Sequence, residues 1–379
     1  MIVTYTNLFP IRLFVSGLAG FTLIGAVPAL YGVALPHYGR VFGLADGEAS
    51  LLLGAHGTGA LAAVVGGMFG LSWLTFRLSL GLIAIGAAIM ATEAQFVLLL
   101  GGAAIIGAGF GLISAIVNQR FLAGFGARGP GLLGMVNAIY GLGAILSPIL
   151  FVWAGGAPWI VFAGIAVTAC ALVALAEPGG RRAAATGLPD LRQRKFGVLV
   201  FIFLAVVIEV ALFGFGPSAL IAQGATEFGA ARLTSGFFAA FLLGRLSLYW
   251  LTRWCGADLL FLLSISGVVV TCGLAAAGWQ ASGFVASGAF IGMAFPAFYV
   301  WGTSLLGTDG RIGAAILAAG LVGGAAAPSL LHFIIGRSGI DALFLILALL
   351  ALSMAVMLWP IVALTRPRPA SGKRIVGRI

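Results

Sequence analysis

Two ionisable side chains stand inside long apolar stretches of the sequence. Glu209 lies in the apolar run 196–222, and Arg245 lies in the run 233–252. A charge within the hydrocarbon layer of a membrane costs at least about 2.5 kcal/mol on insertion scales, so each group should face a cavity or a partner. In a cavity, the carboxylate could take up and release a proton, and the guanidinium could bind an anionic group. The alternative for both is a static ion pair or a contact that holds helices together.

Five further side chains offer hydrogen bonds or ring surfaces within the apolar runs. They are His56, Asn137, Tyr140, Tyr299 and Trp301. His56 could relay a proton or donate a hydrogen bond, while Asn137 and Tyr140 are spaced to share one helix face. Tyr299 and Trp301 could stack on a ring-shaped solute. The competing roles are hydrogen bonds between helices for the polar groups and contact with lipid for the aromatic rings.

The composition places these residues in a membrane protein. Of 379 residues, 61% are hydrophobic and only 8% are charged, whereas about 25% are charged in an ordinary soluble domain. The apolar runs reach the roughly 20 residues that a helix needs to cross a hydrocarbon layer of about 30 Å. The 58 glycines suit helices whose backbones approach closely in lipid.

Other function classes lack their signatures in this sequence. The net charge of +10 sits at the ends of apolar runs, which indicates membrane topology and no nucleic-acid partner. The cysteines, Cys170, Cys255 and Cys272, have no spacing typical of a disulfide framework or a metal site. There is no phosphate-binding Gly-Lys-Ser/Thr motif and no long polar segment for a catalytic domain. We therefore expect no enzyme activity, no metal and no cofactor, and we interpret the first apolar run as a retained helix.

Twelve apolar spans organise the chain. They cover 11–36, 49–70, 75–93, 96–118, 130–153, 157–176, 196–222, 233–252, 258–278, 282–305, 311–335 and 340–364. The predicted domains are an N-terminal six-helix bundle (1–177), a basic cytoplasmic linker (178–195), a C-terminal six-helix bundle (196–365) and a basic cytoplasmic tail (366–379).

The basic residues predict the orientation. If both termini are cytoplasmic, sixteen Lys and Arg residues lie on the cytoplasmic side, and only Arg40, Arg232 and Arg337 lie on the other. This bias follows the positive-inside rule. It predicts cytoplasmic termini, with a bacterial inner membrane as the expected location and the lipid bilayer as the partner of the basic tail.

Two short sequence matches relate the halves of the chain. Residues 67–75 and 244–252 are identical at five of nine positions, at an offset of 177. Gly143 and Pro148 recur at an offset of 180, as Gly323 and Pro328. Together they indicate duplicated halves in parallel orientation, which is typical of transporters that rock two bundles around a central site.

Glycine and proline patterns in four spans carry a family resemblance. The patterns are Gly107-Ala-Gly109-Phe-Gly111 through Asn118, Asn137 through Gly143 to Pro148, Phe295-Pro296-Ala-Phe298 with Gly302 and Leu306-Gly307, and Gly323-Gly324 through Pro328. They resemble the fourth, fifth, tenth and eleventh helices of the major facilitator superfamily, the last two with some similarity to its fucose and glucose/galactose permease branch. The resemblance implies an all-α membrane protein with twelve transmembrane helices in two pseudo-symmetric six-helix bundles.

These observations lead to one functional hypothesis and two alternatives. The hypothesis is a monomeric secondary transporter that takes up a small polar or anionic metabolite by alternating access in symport with protons. Glu209 would couple the protons, and the substrate would bind to Arg245, His56, Asn137, Tyr140, Tyr299 and Trp301. The alternatives are efflux of amphipathic compounds and a transport-inactive membrane sensor or assembly factor with the same fold.

Overall fold

Twelve α-helices make up the architecture. The computed structural model describes residues 11–45, 48–68, 75–124, 129–176, 193–307 and 312–365. Within them lie α1 (Ile11–Phe42), α2 (Leu51–Met68), α3 (Phe76–Thr92), α4 (Phe96–Gly124), α5 (Gly129–Trp153), α6 (Pro158–Leu175), α7 (Gln193–Ala222), α8 (Glu227–Leu251), α9 (Ala257–Ala276), α10 (Gln280–Leu306), α11 (Ile312–Ser338) and α12 (Leu343–Thr365). Each predicted span corresponds to one of these helices, so the predicted helix count is confirmed.

The helices are those of an integral membrane protein. Among the described residues, eight helices are long and apolar enough to cross a membrane, and three shorter helices are also apolar. Many of their large hydrophobic side chains remain exposed on the outside of the bundle, including Val97, Val167 and Leu349. Such a surface is expected for a protein whose exterior faces lipid rather than water.

Several helices extend beyond their predicted spans, and for two of them, α1 and α8, the local reason is visible. α1 continues past Pro36 to Phe42, where the rings of Tyr38 and Phe42 stack at 6.2 Å and Tyr38 is fully buried. α8 begins at Glu227 because the Thr226 side chain accepts a hydrogen bond from the Gly229 amide at 3.0 Å. Hydropathy locates the membrane-crossing part of a helix, whereas aromatic packing and capping decide where the helix ends.

The contacts between helices repeat from one half to the other. In the first half α1 packs on α5, α2 and α3 pack on α4, and α3 packs on α6. In the second half α7 packs on α11, α8 and α9 pack on α10, and α9 packs on α12. The second set is the first with six added to every helix number, as duplicated halves require. Across the halves, α1 contacts α7, α2 contacts α11, and α5 contacts α8.

Glycines at the closest helix contacts fix the register of this repeat. A side-chain carbon at Gly143 of α5 would collide with the Thr22 carbonyl of α1, and one at Gly323 of α11 would collide with the Phe203 carbonyl of α7. The glycine pair is the one that the sequence match at an offset of 180 singled out. Gly143 and Gly323 therefore permit the same close backbone contact in equivalent helices.

The structure describes only part of the second sequence match and of the predicted domain boundaries. The match between 67–75 and 244–252 lies partly outside the described residues. Its offset of 177 is also one helical turn out of register with the packing, which pairs His56 of α2 with Phe237 of α8 at an offset of 181. Most of the predicted linker 178–195 and all of the tail 366–379 also lie outside them, and residues 193–195 begin α7. The division into four domains stays a prediction.

We call the side on which α1 begins proximal and the side on which it ends distal. Consecutive helices run in alternating directions, so odd-numbered helices run from proximal to distal and even-numbered helices run back. In the predicted topology the proximal side is the cytoplasmic side.

Candidate functional site

A cavity of about 220 Å³ lies between the two halves. Its lining comes from α1, α2, α4 and α5 of the first half and from their equivalents α7, α8, α10 and α11 of the second. The described residues of α3, α6, α9 and α12 do not line it. The lining is mostly apolar, and its polar side chains are His56, Ser114, Tyr140, Glu209 and Arg245. Four of the seven predicted site residues therefore meet in one cavity.

Glu209 reaches the cavity from the middle of α7. It lies 13 residues before the distal end of the helix at Ala222, which is about 20 Å at 1.5 Å per residue. Its helix neighbours Val206, Val210 and Phe213 line the same cavity, so the carboxylate is set in an apolar wall. No described residue forms a salt bridge with it. The carboxylate thus faces the cavity without a salt bridge to any described residue.

Arg245 is anchored by its inner nitrogen and by an aromatic ring. Its Nε donates a hydrogen bond to the Gly292 carbonyl of α10 at 3.2 Å, and its Cζ lies 4.3 Å from the ring centroid of Phe241. The absence of a side chain at Gly292 lets α10 approach Phe241 closely enough for both contacts. No described residue accepts a hydrogen bond from the two terminal nitrogens, so they remain available to an anion.

Glu209 and Arg245 do not form a close ion pair. The described residues contain no salt bridge between them within 4.0 Å, although their charges act on each other across the cavity. A static ion pair is therefore not what holds them in the membrane in this conformation.

Tyr140 joins the first half to this charged pair. Gly25 of α1 packs directly against the backbone carbonyl of Tyr140, which fixes this turn of α5. The Tyr140 ring centroid lies 6.0 Å from the Arg245 Cζ and 6.5 Å from the Phe110 ring. Its hydroxyl and ring face thus border the route between the two halves of the cavity.

His56 lies at the cavity wall formed by α2. Its side chain is only 8% exposed, and its ring makes edge contacts with Tyr31 at 5.5 Å and Phe110 at 5.2 Å. Gly107 of α4 packs against the His56 carbonyl, which fixes this turn of α2. Neither ring nitrogen has a hydrogen-bond partner among the described residues.

The structure does not bring Tyr299 and Trp301 to the cavity. On α10 the cavity-lining residue is Phe295. Tyr299 stacks on Phe295 at 6.2 Å but lies one turn away and is 38% exposed. Trp301 lies six residues beyond Phe295, about 240° around the helix, and is buried against Phe261. Tyr299 is outside the candidate site because it lies one turn further along the same face of α10, and Trp301 is outside it because the rotation of the helix turns it away.

The remaining differences from the predicted site concern Asn137 and several aromatic residues. The side chain of Asn137 lies outside what the structure describes. Three aromatic residues that no sequence pattern marked as site residues also line the cavity: Phe21, Phe110 and Phe213. Spans that are apolar on every face carry no periodicity that would separate a cavity-facing ring from a lipid-facing one.

Contacts between the halves close the distal side of the cavity. Arg40 at the distal end of α1 forms a two-pronged ion pair with Glu227 at the distal end of α8, with Nη2 to Oε2 at 3.0 Å. Ser235 of α8 donates a hydrogen bond to the Ile145 carbonyl of α5 at 3.1 Å. Gly57 of α2 packs directly on α11. The Arg40–Glu227 and Ser235–Ile145 contacts lie in the distal parts of their helices, whereas Gly57 lies in the distal part of α2 and meets α11 at its middle, at Ala325.

The arrangement of the twelve helices is similar to that in solved structures of transporters. The chain is similar to the E. coli fucose:proton symporter at 18% identity and a TM-score of 0.64, covering 91% of this chain and 97% of that one. It is similar to a D-xylose-proton symporter at 17% identity and a TM-score of 0.70, covering 92% and 97%. A POT family transporter in complex with 5-aminolevulinic acid matches at 12% identity and a TM-score of 0.74, covering 94% and 96%. No family model and no curated protein matches the sequence.

Proposed function

We propose that this chain, which has the fold of the major facilitator superfamily, is a secondary active transporter that works by alternating access. Its substrate is a small anionic or polar metabolite, and its coupling ion is a proton. One observation carries the proposal: the cavity between the halves is lined by equivalent helices of both halves. It holds a carboxylate with no salt-bridge partner among the described residues and an anchored guanidinium. Two of the similar structures are named proton symporters, which supports the same mechanism.

The two charges provide a way to couple proton and substrate. An ionised Glu209 attracts the guanidinium of Arg245 and competes with a substrate anion for it. Protonation of Glu209 removes this competitor, so proton and anion bind together more favourably than either binds alone. The empty cavity and the fully loaded cavity are then both charge-compensated, whereas a half-loaded cavity is not. Exchange between the two open states is favoured for the compensated forms.

The orientation follows from the same proposal. Contacts of Arg40, Ser235 and Gly57 close the distal side, so this conformation is the one that serves the proximal side. With both termini in the cytoplasm of a bacterial inner membrane, the proximal side is the cytoplasm, and uptake ends with release from this conformation. The proposed occupants are one solute, protons and the surrounding lipid, with the protein acting as a monomer.

Efflux of amphipathic compounds is the second candidate because most of the cavity wall is apolar. The difference between the two functions lies in Arg245. An anion carrier depends on the guanidinium, whereas an amphipathic solute would be held by the rings and would tolerate its removal.

Counterflow in proteoliposomes tests the proposal. Vesicles holding the purified chain are loaded with excess unlabelled solute, and uptake of trace labelled solute is measured for lactate, benzoate, D-xylose and tetraphenylphosphonium. We expect an anion to show counterflow that falls about tenfold or more in Arg245→Ala, the size of effect expected when a charge-assisted contact is lost. Protein-free vesicles correct for passive entry of the free acids.

The remaining outcomes separate the alternatives. Counterflow of tetraphenylphosphonium alone, unchanged in Arg245→Ala, would replace the anion carrier with a carrier of amphipathic compounds. Solute binding without any counterflow would instead point to the transport-inactive sensor.

A further inference from the structure

His56 presents hydrogen-bonding capacity that no described residue uses. Both ring nitrogens are buried, and neither finds a partner among the described residues. Buried polar groups in folded proteins are almost always hydrogen-bonded, because a group that lost its water and gained nothing is destabilising. A neutral imidazole offers one donor and one acceptor. A group that enters the cavity is therefore the natural partner of this side chain.

The surroundings of His56 leave the cavity as the place from which a partner can come. The rings of Tyr31 and Phe110 meet the imidazole edge-on at 5.5 and 5.2 Å. Gly107 presses against the backbone of the same turn. His56 lines the same cavity as Glu209 and Arg245. Its two ring nitrogens are buried there, so a turn of the ring would present one of them to a ligand in the cavity.

A row of rings connects His56 with Arg245. The Phe110 centroid lies 5.2 Å from the His56 ring and 6.5 Å from the Tyr140 ring, and Tyr140 lies 6.0 Å from the Arg245 Cζ. The cavity thus has a hydrogen-bonding end in the first half, a guanidinium end in the second half and an aromatic surface between them. Because the planes of Phe110 and Tyr140 are 80° apart, a flat apolar ring can stack on one of them and meet the other edge-on, both of which are favoured aromatic geometries.

We propose that the substrate is a cyclic carboxylate that carries a hydrogen-bonding substituent, such as a hydroxyl group, at the end of the ring opposite the carboxylate. The carboxylate binds Arg245, the ring lies against Phe110 and Tyr140, and the distant substituent binds His56. This inference rests on the proposed function only in placing the ligand in the transport cavity. His56 then sets specificity by selecting the substituent, because a site built to hydrogen-bond a group discriminates against a ligand that lacks it.

The same geometry disfavours sugars. A monosaccharide presents hydroxyl groups around its whole ring, and each needs a partner when it leaves water. The polar side chains of the cavity wall are only His56, Ser114, Tyr140, Glu209 and Arg245 among the described residues. The likeness of the fold to sugar symporters therefore does not extend to this cavity.

Binding to the purified full-length chain in detergent tests the inference without requiring transport. The probes are 4-hydroxybenzoate and 4-hydroxycinnamate, which differ in length, and their 4-methyl counterparts, in which a methyl group replaces the hydroxyl. Dissociation constants come from titration calorimetry, and thermal shifts confirm binding to the folded protein. We expect one hydroxy acid to bind about tenfold more tightly than its methyl counterpart, since a hydrogen bond to His56 would be lost.

His56→Phe is the decisive variant. It should bind the hydroxy and methyl acids equally, while Arg245→Gln should weaken both. Phenylalanine keeps an aromatic ring in contact with Tyr31 and Phe110, which meet the imidazole edge-on. His56→Gln keeps a donor and an acceptor and should keep part of the preference. Cys170→Ala, at an exposed position on α6, is the matched control and should bind as the wild type does.

The outcomes separate this inference from the proposed function. An unchanged hydroxy-to-methyl ratio in His56→Phe would overturn the role of His56. Failure of every cyclic acid to bind would overturn the substrate class, even if another anion shows counterflow. A preference that depends on His56 together with no counterflow for any solute would support the inference and reject transport.

Discussion

The polar residues of the cavity are distributed asymmetrically over a symmetric frame. The glycine contacts place His56 of α2 and Phe237 of α8 at equivalent positions, 181 residues apart. At the same offset, Pro28 stands opposite Glu209 and Val64 stands opposite Arg245, and both also line the cavity. The second half supplies the charges, and the first half supplies the imidazole. An asymmetric ligand can therefore bind in one orientation although the helices that surround it repeat.

Replacement of Glu209 by Gln tests its coupling role. The amide keeps the shape of the side chain but cannot bind and release a proton. We expect Glu209→Gln to retain counterflow, which needs no net proton movement, and to lose the accumulation of solute that a proton gradient drives in wild-type vesicles. The measurement is the steady-state ratio of labelled solute inside and outside proteoliposomes, with and without an imposed pH difference.

The matched control is Glu48→Gln. Glu48 is exposed, lies outside the cavity, and accepts a hydrogen bond from the Ala45 amide that a glutamine oxygen can also accept. This variant should accumulate solute as the wild type does. Gradient-driven accumulation by Glu209→Gln at the wild-type level would remove Glu209 from the coupling mechanism.

At the residue scale, the sequence predicted the charged part of the site better than the aromatic part. A charge in an apolar span is conspicuous because it is costly, so Glu209 and Arg245 stand out without knowledge of helix rotation. Tyr299 and Trp301 do not stand out in this way, because an aromatic ring is common in a protein core, in a cavity and at a lipid interface. Only the rotation of α10 shows that Phe295 is the ring that faces the cavity.

At the scale of elements, the glycines of α4 hold α2 in place. Gly107 and Gly111 lie one turn apart and pack against the carbonyls of His56 and Ala60. Gly288 and Gly292 of α10 do the same to α8. The contact of α4 with α2 sets the position of His56. The contact of α10 with α8 sets the position of the Phe241 ring, which supports Arg245. Small residues that permit close backbone contact thus position both ends of the site.

Gly107→Ala should destabilise the protein and disturb His56. The added carbon would collide with a backbone carbonyl rather than with a flexible side chain, so α2 and α4 would have to separate. Overpacking of this kind costs about 1–3 kcal/mol. We expect a lower midpoint of thermal unfolding in detergent and weaker binding of the hydroxy acids.

Gly101→Ala provides the comparison in the same helix. A side chain at Gly101 would meet no atom within 4 Å, and the position is exposed. Alanine also favours helix over glycine, so this variant should be at least as stable as the wild type. Equal stability of the two variants would mean that the α2–α4 contact does not hold His56 in place.

The number and order of the helices could be predicted because both follow from hydropathy and charge. Long apolar runs mark the spans, and alternation of basic residues supports their number. The ends of α1 and α8 could not be predicted in the same way, since an aromatic stack at Tyr38 and a cap at Thr226 determine them. The pairing of α2 with α11 and of α5 with α8 also carries no local signal in the sequence.

At the scale of the whole molecule, the distal contacts decide which side the cavity serves. In alternating access the two halves exchange partners between a distal and a proximal seal, and each seal contributes to the balance between the two conformations. Arg40 and Glu227 join the halves at the distal end. Their exposure, 59% and 38%, means that water screens the pair, so its contribution is about 0.2–1 kcal/mol.

Neutralising this pair should shift the balance toward the distally open state. We expect Arg40→Ala and Glu227→Ala each to raise the population of that state by roughly 1.4- to 5-fold, the equivalent of the free energy above. The measurement is the rate at which a membrane-impermeant maleimide added on the distal side labels Leu53→Cys. Leu53 is buried at the cavity wall, and the native residues Cys170, Cys255 and Cys272 are first replaced.

Exchanging the two charges separates the ion pair from other effects of the substitutions. Arg40→Glu combined with Glu227→Arg restores an attraction with the opposite polarity and should return the labelling rate toward that of the parent protein. Arg232→Ala removes a neighbouring exposed charge on α8 that joins no salt bridge among the described residues, and it should leave the rate unchanged. If neutral variants label Leu53→Cys as slowly as the parent does, the distal seal depends on the helix contacts of α5 with α8 and of α2 with α11 rather than on this pair. The exchanged variant would then also match the parent, and the ion pair would have no part in selecting the conformation.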